Sequence, residues 1–196
     1  MKTIRISESK RMYKNQKRER ANGVFCKTLY KKYLFLIFIL PLDATFSEPL
    51  DNFAFYNLSK ERIVLSDFLK KFSTKDILIL NFTGSQCKPC KEQVPILLDL
   101  IKRTNIEADG KWKVFFWIVF VGDDFQTGKE YSNLLNLSNK AETLVDPLST
   151  SYKRVKIVGL PTVLILNSKR EIFFKTEGYN QSGMNDLKKF LSSWGK

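Results

Sequence analysis

The chain contains no histidine. That absence removes serine–histidine triads, histidine general bases and histidine-containing metal sites. Cysteine is scarce, with only Cys26, Cys87 and Cys90 among 196 residues. Three thiols and no histidine fall short of the four ligands that structural zinc takes, and a single cysteine pair does not make a disulfide-stapled scaffold. No glycine-rich phosphate loop occurs. The apolar run at residues 33–42 (YLFLIFILPL) is ten residues long, about half of what a bilayer-spanning helix needs.

Charge is unevenly spread. Residues 1–33 carry eleven Lys or Arg against two Glu, a net of +9 out of the chain's +13. The apolar run follows at once, then small residues at Ala44, Thr45 and Ser47. A basic stretch, a short apolar core and small residues describe a secretory signal. The expected cleavage is after Ser47, giving residues 1–47 as leader and 48–196 as the exported domain. An uncleaved anchor built on residues 33–42 is the alternative, and the length of the basic segment allows a start at Met12. The basic tail is not read as a nucleic-acid arm, because its charge stops where the apolar run begins. Residues 48–196 hold 22 basic and 17 acidic side chains, so basicity carries no functional signal there. That length is one domain with room for a real core.

The stretch at residues 77–100, ILILNFTGSQCKPCKEQVPILLDL, organises that domain. Its opening run Ile77-Leu78-Ile79-Leu80 suits a strand buried on both faces. Thr83-Gly84-Ser85-Gln86 breaks the pattern as a turn. From Cys87 the spacing of Val94, Leu97, Leu98 and Ile101 becomes helical. Pro89 fits a first helical turn, where a missing N–H costs nothing, and Pro95 is expected to kink the helix near Lys91. Cys87 therefore sits at a helix start, where N–H groups and the helix dipole favour a thiolate. Lys88 and Lys91 add positive charge. Cys90, one turn on, lies on the same face and can close a small ring with Cys87. One thiolate attacks a disulfide and the other releases the product. An inert disulfide, or part of a zinc site short of ligands, is the alternative.

Elsewhere, short extended pieces around Phe53-Ala54-Phe55 and Arg62–Leu65 predict an N-terminal hairpin. Ser66 reads as the cap of a brief helix. Residues 112–121 (WKVFFWIVFV) predict a second central strand. Asp123-Asp124 after it read as a solvated loop leading to a helix near residues 127–137. Residues 149–155 suggest a helical turn or two. Val163–Leu166 and residues 171–175 predict a strand and its hairpin partner, and residues 184–194 a closing amphipathic helix. Trp112, Trp117 and Trp194 read as core. Strands alternating with helices, then a hairpin and a last helix, imply an α/β fold with a mixed sheet covered on both faces.

With these residues in view, the chain resembles the thioredoxin-fold proteins, and more narrowly the TlpA/ResA group of exported thiol-disulfide oxidoreductases. The resemblance is carried by Asn81-Phe82, the Cys87–Cys90 motif, Pro95, Asp146-Pro147, Tyr152 and Gly159-Leu160-Pro161-Thr162. It implies a three-layer thioredoxin-like fold with an N-terminal β-hairpin. It further implies Cys87 as nucleophile, Cys90 as resolving thiol, and no cofactor beyond their disulfide. Pro161 would be a cis-proline facing the dithiol, with Leu160, Gln86, Lys88 and Pro89 meeting substrate. Partners would be protein dithiols or disulfides, apocytochrome c among them, and a membrane electron donor, with the domain acting as a monomer. Three positions depart from the pattern. Gln86 replaces the usual aromatic before the first cysteine, Gln93 replaces a Glu, and Asn81 stands where cytoplasmic thioredoxins bury an Asp. Both places for the tuning carboxylate thus hold neutral amides. A redox-silent binding module and an exported disulfide oxidase are the competing readings.

Overall fold

The computed structural model describes residues 49–195. The leader, its apolar run, Cys26 and the Ser47 cleavage position lie outside the described residues. Seven strands and five helices follow in chain order. They are β1 (Ala54–Asn57), β2 (Arg62–Val64), α1 (Leu65–Leu69), β3 (Ile77–Thr83), α2 (Lys88–Glu107) and β4 (Val114–Val121). Then come α3 (Phe125–Leu134), β5 (Glu142–Asp146), α4 (Thr150–Arg154), β6 (Thr162–Leu166), β7 (Ile172–Glu177) and α5 (Gln181–Ser193).

All seven strands form one mixed sheet in the order β2-β1-β5-β4-β3-β6-β7. The two long apolar runs occupy its centre, paired in parallel from Ile77 opposite Val114 to Thr83 opposite Phe120. Every residue of β3 is buried, as expected of a strand covered on both faces. Its alternation sorts the core into two layers. Ile77 and Ile79 pack with Val94, Leu97 and Ile101 of α2, Tyr131 of α3, and Met184, Leu187 and Leu191 of α5. Leu78, Leu80 and Phe82 pack on the other face with Phe55, Trp117, and Leu65 and Leu69 of α1. The expected three layers are thus present. Burying a side chain the size of Leu97 or Phe82 contributes about 1.5–3 kcal/mol.

Several boundaries differ from the sequence expectation. The expected N-terminal hairpin is present as β1–β2, and β1 also pairs antiparallel with β5, so the hairpin extends the main sheet. Ser66 does not cap α1, which starts at Leu65 with no side-chain cap. Ser66 N–H instead donates to Asn52 Oδ1 at 3.1 Å. β4 begins at Val114 rather than Trp112; the Lys113 N–H donates to Asp76 Oδ1 at 2.7 Å while its carbonyl still accepts the Ile77 N–H at 3.0 Å. α3 starts at Phe125 and ends at Leu134, earlier than the apolar spacing suggests, with Asp124 as its cap. Trp117 and Trp112 are buried. Trp194 is only half-buried, stacking on Phe190 and donating to the Lys75 carbonyl at 2.9 Å. Helix α2 runs on through Pro95 to Glu107.

Candidate active site

The carboxyl end of β3 passes through Gly84-Ser85-Gln86 to Cys87, and Lys88 opens α2. Cys87 N–H donates to the Gly84 carbonyl at 3.1 Å, closing the turn. Cys87 is the cap residue of α2. Its sulfur accepts the Cys90 N–H at 3.3 Å, and its carbonyl accepts from Cys90 at 3.2 Å and Lys91 at 3.4 Å. A helix's first N–H groups have no partner within the helix. Here one of them points at a sulfur.

Cys87 and Cys90 are joined by a disulfide, with Cα atoms 5.3 Å apart. The two sulfurs occupy different surroundings. Cys90 is fully buried, whereas Cys87 is partly exposed, flanked by the exposed Gln86, Lys88 and Pro89. Lys91 does not reach over the sulfurs, since its ammonium lies 5.1 Å from the centre of the Tyr131 ring, a cation–π distance.

Antiparallel pairing of Phe82 with Thr162 brings the start of β6 beside the end of β3. The Leu160–Pro161 peptide is cis. A Cβ added at Gly84 would lie 3.4 Å from Leu160 Cδ1, which places Leu160 against the active-site turn. Pro161 is buried, and its carbonyl accepts the Gly178 N–H at 2.7 Å.

Asn81 and Gln93 come together beneath this site, with Asn81 Nδ2 donating to Gln93 Oε1 at 3.4 Å in a buried contact. Gln93 Nε2 faces the Met184 sulfur at 3.9 Å. Glu92 is exposed and turns away from this pair, as a residue one step off register must. Among the described residues, no group of three or more His, Cys, Asp or Glu side chains could hold a metal ion.

One residue at the site escaped the sequence reading. Asp123 is not a free loop carboxylate. Its Oδ2 accepts the Ser85 N–H at 2.8 Å and its Oδ1 accepts the Ser85 hydroxyl at 2.6 Å. An acidic pair after a central strand was the visible signal, but nothing local couples residues 38 positions apart.

The thioredoxin-like family model matches residues 75–172, half of the chain, and the chain belongs to the thioredoxin-like family. A disulfide-forming Cys-x-x-Cys pair on this fold is the arrangement of a thioredoxin-like oxidoreductase. Solved structures agree on the fold. A putative thiol:disulfide interchange protein DsbE from Chlorobium tepidum is 18% identical with a TM-score of 0.57, covering 75% of this chain and 95% of its own. StoA from Bacillus subtilis is 20% identical with a TM-score of 0.53, covering 72% and 96%. A thiol-disulfide oxidoreductase from Bacteroides fragilis is 20% identical with a TM-score of 0.54, covering 73% and 99%. A search of curated proteins finds no match.

Proposed function

We propose that this protein exchanges thiols and disulfides with other exported proteins, acting from its reduced state through Cys87. The observation that carries the reading is the asymmetry of the pair, an accessible sulfur that accepts a helix N–H and a buried one a turn away. In the first step the Cys87 thiolate attacks a substrate disulfide, forming one S–S bond and expelling one substrate thiolate. In the second, the Cys90 thiolate attacks Cys87, restoring the internal disulfide and releasing the second substrate thiol. Two electrons pass from the protein to the substrate.

Gln86, Lys88 and Pro89 flank Cys87 along the chain and Leu160 lies against the turn before it; these, with Pro161, are the residues that would meet the substrate chain. A membrane partner would re-reduce the disulfide, and exported proteins such as apocytochrome c would be its clients. The basic and apolar leader favours work outside the cytoplasm. Among the described residues no helix is long and apolar enough to cross a membrane.

The test is reduction of insulin by the purified protein supplied with dithiothreitol. Turnover is expected in the wild type and should vanish in Cys87→Ser. Cys90→Ser should instead accumulate a mixed disulfide through Cys87. A wild type without turnover would point to a binding module that keeps the fold and the disulfide but not the exchange.

A further inference from the structure

We infer that Asp123 is a positioning residue for the dithiol, clasping the turn that presents Cys87 and, through its negative charge, making the pair a stronger reductant. The inference rests on the oxidoreductase reading for its use, but not for its measurement.

The geometry begins at Gly122, whose φ of 76° turns the chain out of β4. That region of backbone space favours glycine, and an added Cβ would also come within 3.2 Å of the Ser149 hydroxyl. The turn delivers the next residue, Asp123, across the gap to the neighbouring strand's loop. There both carboxylate oxygens are used, one on the Ser85 N–H and one on its hydroxyl. Ser85 is the second residue of the turn that ends at Cys87, closed by the bond from Cys87 N–H to the Gly84 carbonyl. The clasp therefore fixes the segment leading into the nucleophile from outside that segment. Hydrogen bonds to a charged acceptor are roughly twice as strong as neutral ones.

The charge has a second effect. Reduction of the disulfide places negative charge on Cys87, and a carboxylate bonded to Ser85, two residues before Cys87, opposes it. The helix start and the Cys90 N–H favour that charge, so the two influences pull in opposite directions. Other charged groups nearby are occupied or turned outward. Lys91 rests on Tyr131, Asp124 caps α3 at Thr127, Asp146 is taken up by Thr150 and Ser151, and Lys88 and Glu92 face solvent. Asp123 is the carboxylate bonded to the active-site turn itself.

Asp123→Asn separates the two roles, since an amide oxygen still accepts the Ser85 N–H while the charge is gone. The full-length protein is equilibrated with glutathione, and the constant for protein disulfide plus two glutathiones giving protein dithiol plus oxidised glutathione is read by alkylation. Removing the charge is expected to shift this constant toward the dithiol by about threefold or more, with the difference shrinking as salt is added. Ser85→Ala, which keeps the charge and the backbone bond, should shift it less. An unchanged constant in a folded Asp123→Asn variant overturns the inference, as does an equal, salt-independent shift in both variants. This equilibrium is defined even for a protein that reduces no insulin, so failure of the oxidoreductase reading is seen separately.

Discussion

Asn81 and Gln93 meet in the protein interior through one long hydrogen bond of 3.4 Å, and Asn81 Oδ1 is left without a partner. The two residues come from β3 and from α2, three positions past Cys90. They are fully buried or nearly so. A buried acceptor without a donor costs about 1–3 kcal/mol. Neither amide can take up or release a proton near neutrality, so this buried pair supplies no proton carrier on that side of α2.

Gln93→Glu puts a titratable group back on that face. Burial would hold the new carboxyl protonated to higher pH than usual, giving it a proton to trade with Cys90 near neutrality. Insulin reduction near pH 7 should rise several-fold, and titration of the Cys90 thiol should shift with it. The same change should lower folding stability by about 1–3 kcal/mol. An exchange rate and a thiol titration both identical to wild type would show that proton supply does not limit this enzyme.

Asp146 offers a sharper stability test. It is buried at the end of β5 and accepts four hydrogen bonds. Thr150 donates its N–H and its hydroxyl at 3.0 Å each, and Ser151 donates its N–H at 2.8 Å and its hydroxyl. These bonds hold the short α4, whose own cap Ser149 adopts φ of 52° and makes no side-chain bond. Five residues of helix are far too few to persist alone. Asp146→Ala should therefore cost about 2–4 kcal/mol in urea unfolding, with Asp146→Asn costing less. A loss below about 0.5 kcal/mol would mean that α4 is held by packing alone.

What the sequence made legible follows from how far each signal reaches. β3 declares itself because burial on both faces demands an unbroken apolar run, and Ile77–Thr83 supplies one. Helix α2 shows in the spacing of Val94, Leu97 and Ile101, and the Cys-x-x-Cys between them is local by definition. The Gly-Leu-Pro-Thr segment was visible as a motif. Its seat beside the active-site turn depends on the pairing of Thr162 with Phe82, 80 positions apart. The Asp123–Ser85 clasp and the Asn81–Gln93 contact are likewise products of the sheet. Ser66 failed as a cap for the same reason, because Asn52 reaches its N–H from a distant part of the chain.

Two carboxylates should give opposite pH signatures. Asp124 caps α3, and the Thr127 N–H, followed by the Thr127 side chain, holds its carboxyl below the usual range. Its folded value lies below its unfolded one, so its contribution is present above about pH 4 and is lost as pH falls through the folded value. Glu142 opens β5 opposite Trp117. Loss of water around its carboxyl pushes it above the usual range. Its folded value exceeds its unfolded one, so ionisation weakens the fold as pH rises through that interval. Thermal melts from pH 2.5 to 7 separate the two. Asp124→Ala should lower Tm at pH 7 and converge on wild type at the acid end, whereas Glu142→Gln should match wild type in acid and exceed it slightly at pH 7. Because the Glu142 carboxyl is only partly shielded from solvent, its gain should be the smaller change and should survive added salt, since it reflects lost hydration rather than a neighbouring charge. A Glu142→Gln melt below wild type at pH 7 would mean the carboxylate is held there by attraction instead.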